Sequence, residues 1–352
     1  SDRDQPGLGK DTGRRGVSFR FATWNVEWFN RLFLDDGAMD ATEELSARYE
    51  VTKARQLQAI AAVMRAVDAD ALLIIEAPDD NRRRSSVVAL QGFADAVGLR
   101  TTKAMLGFAN DTRQEIALLY DPTRVTPRHA PGDSENAPRF DRVFGMDLDI
   151  DLKAERLIWS KPPLELDLET PVGPLHLIGV HAKSKAAHGA VDAQDELRLN
   201  ILNRRKQLAQ CIWLRRRVDE RLAEGRDMIV AGDFNDGPGL DAFETLFGRS
   251  GVEVVLGEGP DALHDPNAKP VRIGAALPAT ARFWDNDNRR YLNALLDFAM
   301  VSRRLRSRCR WRILHPFDDV DASRDPDLRQ ALLDASDHFP VILDVTASST
   351  HL

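Results

Sequence analysis

The chain has 352 residues, of which 43% are hydrophobic and 29% charged, an ordinary balance for a globular protein with a large core. A net charge of −7 argues against a nucleic-acid coat protein, which would be basic overall, but leaves room for an enzyme with a local basic groove. Two cysteines, Cys211 and Cys309, exclude a disulfide-dense scaffold, and no apolar run approaches a membrane span.

Residues 1–16 are rich in Gly, Asp and Arg and read as a disordered lead-in without a signal peptide. From residue 17 the pattern alternates between strands and helices. FRFATWNV (19–26) is the first predicted strand. Leu57, Ile60, Ala61, Met64 and Val67 then fall on one face at helical spacing. ALLII (71–75) and EIALLYD (115–121) read as buried strands, the second stopped by Pro122. LELDL (164–168) and LHLIGV (175–180) flank a turn-like ETPVGP and predict a hairpin. A long helix is expected from about Asp192 to Leu222, with Leu197, Ile201, Leu208, Ile212 and Val218 buried. DMIVAG (227–232), LDFAMVS (296–302) and PVILDV (340–345) complete the strands. Two stretches, 129–148 and 249–290, show no clear period. No linker between independent cores is visible. The chain reads as one α/β domain over 17–346 followed by a tail at 347–352, with antiparallel pairings wherever connections are short.

Polar residues recur at the ends of these apolar strands. Asn25 and Glu27 follow the first strand and Glu76 follows ALLII. His181 ends LHLIGV, and Asp233 and Asn235 follow DMIVAG. Asp297 opens DFAMVS, while Asp337 and His338 precede PVILDV. One such residue is ordinarily a turn former, but a set with complementary chemistry marks a site built on rigid elements.

TWNVEW (23–28), Glu76, VHAKSK (180–185), GDFND (232–236), LLDFAMVS (295–302) and SDHFPV (336–341) resemble, in this order, the endonuclease/exonuclease/phosphatase superfamily of metal-dependent phosphoesterases. The resemblance implies a four-layer α/β/β/α sandwich, with two packed, mostly antiparallel sheets flanked by helices. It also implies a divalent-metal-dependent phosphodiesterase. Glu76 would be the first metal ligand, Glu27 a second, and Asn25 or Asp337 would complete the site. Oxygen donors point to Mg²⁺ or Mn²⁺ rather than zinc. His338 would activate water as general base, with Asp297 fixing its tautomer. Asp233 would position the nucleophile or act as base itself, and Asn235 and His181 would donate to phosphate oxygens. A partner for the second histidine could come from Glu115 or Gln114. The sequence departs from many relatives in three places. Ile75 rather than Gln precedes the metal Glu, HAKSK lacks a bulkier residue after the His, and LLDFAMVS stands where inositol phosphatases carry Trp-x-Asp-Arg. The last departure counts against an inositide substrate.

Lys183 and Lys185 beside His181, and Arg82 and Arg84 after Glu76, are candidate grips on a polyanion. The arginines between 303 and 312 read as a solvated strand, and Arg204, Arg205, Arg215, Arg216 and Arg217 as a solvated helix face. Trp28, Phe29, Phe283, Trp284 and Tyr291 are candidates for base stacking. The expected partner is therefore nucleic acid, DNA or RNA, without stable membrane association. A phospholipid or small phosphate ester is the alternative. A non-catalytic binding module would be expected to have lost one of Glu76, Asp233, Asn235 or His338. Two unpaired thiols favour the cytoplasm.

Overall fold

In the computed structural model the first strand, β1 (Ser18–Asn25), lies in the middle of a sheet because its alternate residues Phe19 and Phe21 bury on one side while Ala22 and Trp24 bury on the other. The structure describes residues 18–110, 112–146, 155–186, 189–238, 248–269, 278–286 and 288–348. The predicted lead-in, 1–16, and the end of the predicted tail, 349–352, lie outside them.

Two further elements follow β1. They are helix α1 (Lys53–Val67), capped by the Thr52 side chain, and β2 (Ala71–Ala77). Next come α2 (Ser86–Ala96), β3 (Lys103–Leu106), β4 (Glu115–Tyr120), β5 (Thr126–His129), β6 (Val143–Met146) and β7 (Glu155–Ile158). The predicted hairpin is β8 (Leu164–Thr170) and β9 (Gly173–His181). Helix α3 (Ala193–Ala223), capped by Asp192, leads to β10 (Met228–Asp233) and α4 (Gly251–Leu256). The chain ends through β11 (Ala281–Asp285), β12 (Arg290–Ala294), β13 (Asp297–Val301), β14 (Cys309–Ile313), α5 (Val320–Arg324), α6 (Pro326–Ala335) and β15 (Val341–Thr346).

Two large sheets result, in the orders β14-β15-β1-β2-β4-β3 and β13-β10-β9-β8-β5. Each is antiparallel apart from one parallel pair, β1 with β2 in the first and β9 with β10 in the second. The sheets pack face to face through Phe19, Phe21, Leu73, Ile75, Leu166, Leu177, Ile229 and Leu343. Helices α1, α2 and α6 cover the outer face of the first sheet around Trp24, and α3 and α4 cover the second around Trp213 and Phe298. This is the expected α/β/β/α sandwich. Its C-terminal strand ends matter most. Those of both parallel pairs carry polar residues, including Asn25, Glu76, His181 and Asp233.

Several expectations need correction. Leu197 is exposed, and only Val218 of the five apolar residues expected inside α3 is fully buried. The helix instead buries Gln207, Gln210 and Arg217. The arginine run is a 3-10 turn over Arg303–Arg308 before β14 begins, not one strand. The two stretches without period contain β6, α4 and β11.

Candidate active site

Two backbone devices bring the strand ends together. Pairing of β2 with β4 shifts register between Ile75 and Ala77, which makes Glu76 a bulged residue. Its φ is 63°, and Trp28 and Asn235 adopt the same left-handed region at 58° and 49°. These three left-handed residues concentrate backbone strain at adjoining strand ends, where the polar residues gather. At Gly232, φ is 134° and an added Cβ would sit 2.0 Å from the Val180 carbonyl oxygen, so only glycine permits β10 to lie this close to β9.

Side-chain hydrogen bonds then cross the gap between the sheets. Asn25 Nδ2 donates to Asp233 Oδ2 at 2.9 Å. His338 Nδ1 is 2.7 Å from Asp297 Oδ2, and its Nε2 lies 3.9 Å from Asp233 Oδ2. His181 Nε2 approaches the same Asp233 oxygen at 3.8 Å. Ser336 Oγ donates to the Asn25 carbonyl and accepts from the Glu27 and His338 amides, while Trp24 Nε1 donates to the His338 carbonyl. Asn235 Nδ2 donates to the Ala182 carbonyl, and its amide donates to Asp233 Oδ1.

Electrostatics separate the roles. Burial alone would lower the pKa of His338, but Asp297 and Asp233 outweigh it and hold the imidazole well above its ordinary value. Burial, with repulsion from Asp297, pushes Asp233 up to about 6. His181 is driven well below the ordinary histidine range by burial and by the Lys161 ammonium, so it is a neutral imidazole. Burial raises Glu76, and pushes Asp337 up to about 7 with Glu27 and Glu76 adding repulsion.

Lys161 has no motif around it in the sequence. Its Nζ donates to Gln114 Oε1 at 2.6 Å and lies 3.2 Å from His181 Nδ1, and its charge reaches Glu76 and Asp233. Thus Gln114 meets His181 through Lys161. The Phe283 ring packs edge-on against His338 at 5.7 Å, in agreement with its expected place beside the site.

The donor set fits a hard divalent cation. Asn25 Oδ1 and Asp337 Oδ1 are buried oxygens without hydrogen-bond partners. With Glu76 they form an oxygen-rich group whose carboxylates repel one another, which a cation would relieve. Glu27 is held by Arg48 at 2.5 Å. Among the described residues, Asp233, Asp297 and His338 also have ligand atoms within 4.8 Å of one another. Within that group His338 is already bonded to Asp297, whereas Glu76 and Asp337 make no contact ion pair among the described residues and so fit a metal better.

The expected substrate grips divide. Lys183 is half-buried and its charge reaches Lys161, whereas Lys185 is paired with Asp236. Arg82 is exposed. Arg84 is a correction: it is buried, pairs with Asp79 and donates to the Asn30 and Phe33 carbonyls, so it clamps a loop instead of meeting substrate.

The sequence model of the Endonuclease/Exonuclease/phosphatase family matches residues 22–338. The chain belongs to this family. Similar solved structures include truncated Caenorhabditis elegans TDP2, with TM-score 0.50 and 15% identity over 94% of this chain and 99% of that one. A second C. elegans TDP2 structure has TM-score 0.50 and 16% identity, covering 97% of this chain and 78% of that one. An endonuclease/exonuclease/phosphatase family protein from Bacteroides thetaiotaomicron has TM-score 0.48 and 14% identity over 95% and 97%. No curated protein matches the chain by sequence. The family includes metal-dependent phosphoesterases, and the motif residues of this member lie at the C-terminal edge of its paired sheets. Among the described residues, no helix is long and apolar enough to cross a membrane.

Proposed function

We propose that this protein is a nuclease that hydrolyses phosphodiester bonds of DNA or RNA with Mg²⁺ or Mn²⁺. The observation that carries the reading is the buried array in which His338, bonded to Asp297 at 2.7 Å, presents Nε2 toward Asp233 while Asn25 bonds that same carboxylate. Glu76, Asp337 and Asn25 would hold the metal, which when bound supplies charge neutralisation for the phosphate and the leaving oxygen.

The resemblance made His338 the base. Its protonation favours a different division of labour. A cationic His338 donates from Nε2 to a phosphate oxygen, and Asp297 keeps the ring oriented. Asp233, ionised at neutral pH, accepts the proton of the attacking water. Lys161 and neutral His181 add donors as charge builds on the phosphate, with Asn235 positioned by the Ala182 carbonyl. Lys183, whose charge reaches Lys161, and the exposed Arg82 would grip the adjoining backbone.

The test is hydrolysis of a plasmid and a labelled single-stranded oligonucleotide with Mg²⁺, Mn²⁺ or EDTA, beside His338→Ala. Cleavage that needs both metal and His338 is expected. Cleavage that survives either removal would sink the assignment. A phospholipid or small phosphate ester is the second reading, which the net charge of −7 allows.

A further inference from the structure

The β11–β12 hairpin forms a two-stranded sheet of its own, and the edge of β11 is tied to the segment that carries Asp337 and His338. Ala281 bridges His338, the Arg282 amide donates to the Asp337 carbonyl at 2.8 Å, and the Phe339 amide donates to the Thr280 carbonyl at 2.7 Å. Cross-strand register puts Phe283 opposite Leu292, on the face that meets His338. Strand alternation then places Arg282, Trp284, Tyr291 and Asn293 together on the other face.

That outer face is an assembled surface of rings and a cation. Trp284 and Tyr291 are directly opposed, 5.0 Å between centroids at 69°, and remain 49% and 52% exposed. The Arg282 guanidinium lies 3.7 Å from the Tyr291 ring and 5.1 Å from that of Phe317, itself 47% exposed. Tyr49 is 87% exposed; its phenol is raised chiefly by Glu50 and also feels Tyr291. Exposed aromatic rings of this size are costly to leave in water without a use.

We propose that the outer face of this hairpin is the platform for an unpaired strand of the substrate, on which Trp284 and Tyr291 stack bases while Arg282 holds the strand's phosphates. This rests on the nuclease reading above. Base faces are available for stacking only where the strand is unpaired, and flat rings flanked by guanidinium suit alternating bases and phosphates. A membrane would require an apolar tip, whereas this turn carries Asp285, Asn286, Asn288, Arg289 and Arg290. The rings sit along the strands, behind that polar turn.

The experiment compares wild type with Trp284→Ala/Tyr291→Ala and Trp284→Phe/Tyr291→Phe. Each is assayed on a labelled single-stranded 12-mer, an abasic 12-mer with the same phosphates, and bis(p-nitrophenyl) phosphate. The alanine pair should lose about thirtyfold or more in kcat/KM on the 12-mer, the scale of two lost base stacks. It should keep wild-type turnover of bis(p-nitrophenyl) phosphate. The phenylalanine pair should retain most activity, and wild type should act on the abasic strand about as poorly as the alanine pair acts on the normal one. No loss on the 12-mer, equal loss on both substrates, or undiminished cleavage of the abasic strand would overturn the platform. A wild type that hydrolyses bis(p-nitrophenyl) phosphate but no oligonucleotide would overturn the platform while leaving the phosphoesterase chemistry. Trp284-dependent binding to phosphatidylcholine vesicles would then assign the face to lipid. Hydrolysis of neither substrate with Mg²⁺ or Mn²⁺ would overturn both readings.

Discussion

Two polar clusters both draw on β9, through His176 in one and His181 in the other, and their electrostatics are opposite. In the first, Arg217 of α3 meets Glu165 at 2.6 Å, and His176 Nδ1 meets Asp167 at 2.8 Å, with Arg226 on the same Asp167 oxygen at 2.7 Å. Burial would raise Glu165 and Asp167, yet the His176 bonds and the arginine charges pull both below the ordinary carboxylate range. At the strand ends, burial instead prevails at Glu76, Asp233 and Asp337. The first cluster satisfies its charges within the chain, and the second leaves them for a metal and a substrate. We read the second as the functional one because its raised carboxyls gather beside His338 at the strand ends.

Asp233→Asn gives the largest expected effect on that contrast. Turnover should fall about a thousandfold, within the range for loss of a general base. The melting temperature should hold or rise, since a buried charge raised by desolvation is removed. Near wild-type turnover with either metal would remove Asp233 from the mechanism. Arg217→Met should do the reverse. Stranding Glu165 without its partner should cost about 3–5 kcal/mol of unfolding free energy, read by urea titration. Below the unfolding transition, turnover of bis(p-nitrophenyl) phosphate should stay within about twofold, because general-base chemistry does not involve Arg217. A stability loss under 1 kcal/mol, by the standard of exposed ion pairs, would mean that the first cluster is not held as described.

Arg217 also shows where the sequence ran out. It stands in a row with Arg204, Arg205, Arg215 and Arg216, and nothing local separates it from a solvated face. Its partner lies 52 residues away, on a strand whose alternation of Leu with acidic residues assigns Glu165 to a polar face, and only the fold shows that α3 covers that face. Arg84 misled in the same manner: proximity to Glu76 in sequence suggested substrate, while the fold turns it onto the Asn30 and Phe33 carbonyls. By contrast, ALLII, LHLIGV and DMIVAG were legible because strands buried on both faces need continuous apolar runs. Glu76, His181 and Asp233 were legible as polar stops on those runs, and Asn25 and His338 as polar residues at the ends of two other strands. Lys161 ends no apolar run and sits in no motif, so only the approach of the two sheets reveals it beside His181. The short strands β5, β11 and β14 lack a run long enough to show a period, and take their form from their partners.

Glu76→Gln sharpens the contrast on the metal side. The midpoint of activity against Mg²⁺ should move to at least about tenfold higher concentration, the scale on which even an outer partner of a ligand matters. Turnover at saturating metal should fall less than for Asp233→Asn. An unchanged titration curve would take Glu76 out of the metal site.

The smallest effect is a difference in sign between two glutamates, measured as melting temperature in EDTA at pH 5 and pH 8. Glu115 lies near the site, bonded to Asn110 at 2.7 Å, and burial pushes it up to about 7 from an ordinary 4.5. The folded state therefore keeps its proton where the unfolded chain has lost it. This contribution is present at acid pH and is lost as pH rises from about 4.5 to about 7. Glu115→Gln should match wild type most closely at pH 5 and gain on it at pH 8. Glu165 is held below the ordinary range, so its contribution is present above the unfolded value and is lost on acidification through the folded one. Glu165→Gln should consequently fall furthest behind wild type at pH 8 and recover toward it as the pH is lowered. Slopes of the same sign for both variants would contradict the opposite shifts of these two buried carboxyls.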